Sequence, residues 1–249
     1  MTVRRMLDLT FAALALIVLL AFTVEAMAGF GSIVITLTLA SHLYSIGTLL
    51  PVLVPLNLIL VIYMVTRHRG HVAGKLIGFR VLPIMVAGVA VGLTIYSLVE
   101  GPALKFGFGV LVVVLSAVEL WKLLGAKKIS ARPWTWVNNA YVHAAGIIHG
   151  VYATGGPLLV YALGRSQLPK STLRSSLAMI WLTMDVVLTT TFAIQGRLDA
   201  TAGERIALLA PVVIVGIVLG ELAHGRIRET PFRKLIFSLL LAAGVSILV

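Results

Sequence analysis

Between Glu25 and Arg67 the chain carries no Asp, Glu, Lys or Arg. One membrane span takes about 20 apolar residues, so this uncharged stretch is too long for a single crossing and must fold back within or across a bilayer. The whole chain shares the character. Of its 249 residues 59% are hydrophobic and 12% charged, about half the charge of a soluble domain. The expected class is an all-α polytopic membrane protein, because helices satisfy their own backbone groups in hydrocarbon. The net charge of +11 does not argue for nucleic acid. The Lys and Arg residues sit in short loops between apolar segments, as the positive-inside rule requires, and no basic stripe with interleaved aromatics exists. With no cysteine, disulfides, thiol catalysis and Cys-bound metals are excluded. Residues 1–8 and the apolar run after them resemble a signal peptide. The run continues to Ala28 without a polar region or cleavage site, so it reads as a retained membrane segment.

Apolar segments run at 9–28, 33–41, 46–66, 81–99, 103–121, 137–152, 157–164, 175–194, 205–223 and 232–249. Two of them, 33–41 and 157–164, are too short to span. Each follows a glycine element, Ala28-Gly29-Phe30-Gly31-Ser32 in one case and Ala153-Thr154-Gly155-Gly156-Pro157 in the other. Gly31 and Gly155 are 124 residues apart. The loops 67–80, 122–133, 164–174 and 224–234 hold 15 of the 20 basic residues and read as cytoplasmic; the loops 100–105 and 195–205 read as external. Segment 134–164 is then flanked by cytoplasmic loops on both sides, so it must enter and leave on one face. The expected layout is two homologous halves in an inverted repeat, each a glycine-broken helical hairpin plus three transmembrane helices. The first membrane repeat covers 1–125, the second 134–249, and 126–133 is a cytoplasmic linker. Inversion would place the N-terminus outside, whereas Arg4 and Arg5 favour the inside; its side stays open.

A helix broken at membrane depth leaves backbone groups unpaired unless the break lines a cavity or holds a solute. Glycine lets the chain turn and lets a ligand approach the main chain. The segment after each break starts with free N–H groups and the positive end of a helix dipole. Two such ends facing each other would hold an anion. The expected substrate-binding residues are Gly29, Phe30, Gly31, Ser32, Tyr152, Thr154, Gly155 and Gly156, with Asn57 and Arg174. Ser32 and Thr154 add hydroxyl donors. The plainer alternative is that the glycines only allow tight helix packing.

Ionisable groups inside apolar segments are functional by default. Glu25 and His149, also 124 residues apart, lie about one turn before their glycine elements. They are read, with Asp185, as proton-coupling or site-shaping residues; a structural Glu–His pair is the alternative. Asp185 is expected to bond a neighbouring helix. Asn57 is expected to bond a carbonyl freed by Pro51 or to line the path. Arg174 would neutralise an anion at the cytoplasmic mouth or snorkel to headgroups. Glu119 and Lys122 form an i,i+3 pair, and His68 and His71 are expected to be solvated. No catalytic constellation emerges: Gly155-Gly156-Pro157 is not followed by the Lys-Ser/Thr of a phosphate loop, and His149 has no H-x-x-x-H partner. No enzyme activity, cofactor or metal is expected.

On Ala28-Gly29-Phe30-Gly31 and Gly155-Gly156-Pro157-Leu158-Leu159, the chain resembles the sulfite exporter TauE/SafE family over nearly its full length. It departs at Ser32, where that family commonly has another glycine. The resemblance implies a secondary transporter moving sulfite, an organosulfonate or a related organic acid across a bacterial cytoplasmic membrane. Composition and spacing alone reach only a carrier of a small anion, with Glu25 and His149 read as candidates for proton coupling. A non-transporting membrane scaffold or assembly subunit, or a passive anion channel, would fit the composition as well. The expected partners are a small anionic substrate and the lipid bilayer, without nucleic acid; a homo-oligomer is left open.

Overall fold

A computed structural model describes residues 9–67, 72–99, 101–125, 134–164, 168–223 and 229–249. The expected linker 126–133, His68, His71, Arg4 and Arg5 lie outside the described residues. Among the described residues every regular element is a helix. In chain order these are α1 (Leu9–Ala28), α2 (Ser32–Ala40), α3 (Ile46–Arg67), α4 (Gly74–Leu76), α5 (Leu82–Leu98), α6 (Gly101–Leu124), α7 (Trp136–Tyr152), α8 (Gly156–Gly164), α9 (Lys170–Ile194), α10 (Ala200–Ala223) and α11 (Glu229–Leu248).

Among the described residues seven spans are long and apolar enough to cross a bilayer. They are α1, α3, the run Gly74–Leu98, α6, most of α9, α10 and most of α11. The run Gly74–Leu98 starts earlier than the apolar pattern suggests. A π-helical turn at Ile77–Val81 joins α4 to α5. Pro83 has no N–H to offer the Phe79 carbonyl, and the wider turn comes just before it.

α2 and α8 are nine residues each and cannot span. Both fold back on the helix before them. Asn138 at the start of α7 donates from Nδ2 to the Ala162 carbonyl near the end of α8 at 2.9 Å, so this hairpin returns to the end it came from. Past α2, His42 Nε2 lies 3.2 Å from Ser246 Oγ at the end of α11. Arg205, in the second turn of α10, stacks over the Tyr44 ring at 5.1 Å.

Glycines set the closest helix pairings. Along α5 and α7, a Cβ placed on Gly88, Gly92, Gly146 or Gly150 would run into the partner's backbone. Gly88 faces His143 and Gly146, while Gly92 faces Ile147 and Gly150, so the two helices run parallel. Along α1 and α10, Gly216 faces Leu19 and Phe22 while Gly220 faces Thr23 and Ala26, and this pair also runs parallel. α6 and α11 lie antiparallel, with Gly109 against Leu248 and Gly244 against Val112. Without a hydrophobic driving force between helices in lipid, such close backbone approach supplies the packing energy. α3 and α9 pack together at the centre, and α3 is the most enclosed of the spans.

Candidate functional site

The two glycine elements break their helices with the same backbone bonds. At the first, the Gly29 N–H caps the Glu25 carbonyl at 2.7 Å and α2 restarts with Ile35 N–H to the Gly31 carbonyl at 2.9 Å. At the second, the Ala153 N–H caps the His149 carbonyl at 2.7 Å and α8 restarts with Leu159 N–H to the Gly155 carbonyl at 3.1 Å. The first break turns on Gly29 (φ +86) and Gly31 (φ +122), a backbone region that a side chain resists. The second turns on Ala153 at φ 52, a left-handed alanine that costs about 1 kcal/mol. Gly155 serves packing there: a Cβ on it would strike the Ala145 carbonyl.

The two breaks meet. A Cβ on Gly156 would lie 3.1 Å from the Phe30 ring. Between them is a cavity of about 20 Å³, lined by Glu25, Phe30, Gly31, Asn57, His149, Thr154, Gly155, Gly156 and Trp181, with Ile33, Val34 and Ala153. Eight of those lining residues belong to the expected set. Ser32 is fully buried beside it.

A continuous polar chain runs along this cavity. The Ser32 backbone N–H donates to Glu25 Oε2 at 2.6 Å. The Ser32 hydroxyl donates to Asn57 Oδ1 at 3.2 Å. Asn57 Nδ2 donates to Asp185 Oδ2 at 2.8 Å, and Asp185 Oδ1 stands 3.5 Å from His149 Nε2. The His149 ring lies flat on Trp181, with centroids 5.4 Å apart and planes 14° apart. Glu25, Ser32, Asn57, Asp185, His149 and Trp181 are all at most 5% exposed. Glu25 and His149 therefore do not pair with each other. They stand at opposite ends of one chain whose middle is Asn57, and Asp185 bonds a neighbouring helix as expected. Asn57 bonds side chains and not a carbonyl freed by Pro51.

Two expectations about donors change. The first N–H of α2 is already taken by Glu25, a carboxylate stabilised by that helix end. Pro157 brings no N–H to α8. The helix ends thus offer less to an anion than the sequence suggests. Trp181 offers more: its Nε1 is buried with no hydrogen-bond partner. Both His149 ring nitrogens and Asp185 Oδ1 are likewise buried without a hydrogen bond.

Two expected residues point elsewhere. Tyr152 turns away from the cavity, donating to the Leu104 carbonyl at 3.0 Å and packing its ring on Phe108. Arg174 sits behind the first break. Its guanidinium bonds the Ala26 carbonyl at the end of α1 and Glu221 Oε1 at 3.0 Å. Its Cγ lies 3.3 Å from where a Gly29 side chain would begin. It neither lines the cavity nor reaches out to headgroups. Glu119 pairs with Lys122 at 2.7 Å, as expected, and also with Arg233 of α11 at 3.1 Å. Among the described residues no group of three or more His, Asp or Glu is placed to hold a metal ion.

Trp181 is the residue that sequence reasoning missed. The signal was present, because Trp181 lies 124 residues after Asn57, the same offset that relates the glycine elements.

The chain resembles known membrane transporters in sequence. It is 26% identical over 103 residues to a protein of Cupriavidus necator described as a probable sulfite/organosulfonate exporter TauE, a match covering 41% of this chain and 40% of that protein. It is 23% identical over 169 residues to a probable inner membrane transporter protein TsaS of Comamonas testosteroni, covering 67% of this chain and 69% of the relative. No solved structure gives a significant match. The family model for sulfite exporter TauE/SafE matches residues 14–247. With seven apolar spans and a family match running nearly end to end, this multi-pass membrane protein belongs to the sulfite exporter TauE/SafE family.

Proposed function

We propose that the chain is a secondary transporter of a small anion in the cytoplasmic membrane. Residues 1–125 and 134–249 form two inverted halves that close around the pocket between the glycine breaks. The observation that carries this reading is the pocket itself. Both breaks form it, and Trp181 Nε1 and His149 Nδ1 are buried with no hydrogen-bond partner, while His149 Nε2 and Asp185 Oδ1 have each other at 3.5 Å. A buried polar atom left unpaired costs about 1–3 kcal/mol, so such a set is best explained by an occupant that satisfies it. The parallel runs of α1 with α10 and of α7 with α5 support the inverted layout. Family membership, and the likeness to a relative described as a probable sulfite/organosulfonate exporter, support sulfite, an organosulfonate or a related organic acid as the substrate class.

Charge supports a coupling to protons. Glu25 and Asp185 both border the polar chain. A third negative charge can join two carboxylates in a buried pocket only if protons neutralise them. Anion and proton occupancy are therefore linked, with His149 beside Asp185 as a proton acceptor. Alternating access follows from the size. About 20 Å³ admits roughly one water, so a sulfite ion enters only when the halves part. A pocket this small also favours a carrier over an open channel.

Reconstitution into liposomes tests the reading. The expected result is saturable flux of sulfite or a small sulfonate, faster at lower pH, and reduced at least tenfold in Trp181→Phe, which keeps the ring on His149 but removes the donor. Absence of flux from monodisperse protein across a panel of sulfonates and carboxylates would overturn it in favour of a scaffold role.

A further inference from the structure

Phe30 stands between Gly29 at φ +86 and Gly31 at φ +122, two residues whose missing side chains leave the backbone free to turn. Its ring rests against the second break, where a Cβ on Gly156 would come within 3.1 Å of it. A second cavity, of about 50 Å³, lies between α1, α2, α6 and α11. Phe30, Gly31, Val34 and Thr154 line both this cavity and the pocket between the breaks. Those four residues are a shared wall, and Phe30 is its bulkiest member. Phe30 and Thr154 are 124 residues apart, so each break gives the wall one side chain at the same offset. The two spaces differ in character. Glu25, Asn57, His149 and Trp181 line the pocket between the breaks. The second cavity is apolar except for Ser116, Thr154 and Arg233, and Arg233 is engaged with Glu119 at 3.1 Å, serving the contact of α6 with α11.

A polar space beside an apolar one, with a single aromatic ring between them, suits a molecule with two unlike ends. On the polar side Trp181 Nε1 and His149 Nδ1 are buried without hydrogen-bond partners, and an oxyanion group would satisfy them. A bare inorganic anion would stop there and leave the second cavity empty. An acyl chain from the bilayer needs only apolar walls, whereas this cavity takes part of its wall from the breaks themselves. Room for roughly four water-sized groups suits a body of about two or three carbons. We propose that Phe30 is the selectivity gate of the pocket: a small organic anion sets its charged group on Trp181 and His149 between the breaks, and its short apolar body passes the Phe30 ring into the second cavity. This deepens the transport reading and rests on it for the position of the charged group, whereas the preference for carbon-chain length is read by binding alone.

The experiment uses the full chain in lipid nanodiscs, with sulfite, methanesulfonate, propanesulfonate and benzenesulfonate as probes, read by equilibrium binding and, separately, by liposome flux. Each methylene that enters the second cavity should tighten binding about fourfold, so propanesulfonate should bind wild type roughly tenfold more tightly than methanesulfonate. Leu240→Trp from α11 and Ile35→Phe from α2 fill that cavity and should bring the ratio close to one, with sulfite binding as the report that the inner pocket is folded. Phe30→Ala vacates a phenyl-sized space joined to both cavities, so it should bind benzenesulfonate roughly tenfold more tightly than wild type does. Trp181→Phe should weaken sulfite and propanesulfonate alike. If affinity is flat with chain length, or both cavity-filling variants keep the wild-type ratio, the apolar body does not enter the second cavity and the proposal is wrong. If Phe30→Ala gains nothing for benzenesulfonate, the ring is not the gate and the proposal is likewise wrong. If propanesulfonate binds in detergent and not in nanodiscs, an acyl chain holds the cavity, which also overturns it. If the chain-length pattern holds but no anion is carried in liposomes, the two-ended site stands and the transport reading fails; saturable flux without the pattern keeps the transport reading and sinks the gate.

Discussion

Asn57→Ala is the sharpest test of the buried polar chain. Asn57 gives Asp185 a hydrogen bond, Nδ2 to Oδ2 at 2.8 Å, and accepts from Ser32 at 3.2 Å. Asp185 is fully buried and its other oxygen has no hydrogen-bond partner. Interhelical hydrogen bonds in membranes are worth about 0.6 kcal/mol on average and up to about 1.7. Bonds to charged groups in proteins run at about 1.5–3 kcal/mol. Removing Asn57 breaks the bond to Asp185 and leaves Oδ2 of that buried carboxyl unpaired, with only Oδ1 still beside His149 at 3.5 Å, so the upper end applies, and we expect a loss of about 2 kcal/mol. For a chain of this size that lowers the melting temperature by roughly 4–8 °C. The assay is thermal unfolding in detergent, run as a double-mutant cycle with Asp185→Ala. Replacing both partners removes the stranded group, so the double variant should be more stable than the sum of the single losses by about 1 kcal/mol or more. A shift under 2 °C for Asn57→Ala, or strict additivity in the cycle, would show that the contact does not bear on the fold.

Asp185→Asn should flatten the pH dependence of transport. On the proposed coupling, anion entry needs the carboxylates neutralised, so wild-type flux should rise as pH falls, whereas the amide is neutral throughout; a variant retaining the full wild-type slope would contradict the coupling. Gly92→Ala should destabilise sharply, since its Cβ meets the Ile147 carbonyl with no room to move, while Gly101→Ala, with nothing within 4 Å, should melt within a degree or two of wild type. Glu221→Gln should cost no more than about 1 kcal/mol, because its ion pair with Arg174 is 16% and 29% exposed and partly screened. Arg174→Ala should cost more than Glu221→Gln, because it also loses the Ala26 carbonyl and the packing under Gly29; equal melting temperatures for the two variants would argue against that role.

Much of this arrangement was legible in the letters, for physical reasons that differ by residue. α1 ends at Ala28 and α7 at Tyr152 because glycine and left-handed turns follow at once, and such punctuation is local. The offset relates Glu25 to His149, and both line the cavity between the breaks. The offset could not show that Asn57 and Asp185 stand between them, since that depends on α3 packing against α9. Tyr152 misleads because nearness in sequence to the break does not fix a helix face: as the last residue of α7 it points to Leu104 and Phe108 of α6. Arg174 misleads because loop charge predicts a side of the membrane and not a partner such as Glu221. The direction of α1 was open on the basis of Arg4 and Arg5. Packing supplies an answer, since α1 runs parallel to α10 and so starts at the same end.

The exchanged pairing of helices bears on how the chain is made. α1 finds its closest neighbour in α10, which begins at Ala200. At about 5–20 residues per second, the ribosome delivers that neighbour on the order of ten seconds or more after α1 has left it. Until then the face carrying Phe22 and Ala26 has only lipid or an insertion chaperone against it. A polypeptide stopped before α10 should accordingly be a substrate for quality-control proteases, and neither half expressed alone should mature, whereas co-expressed halves can complete each other.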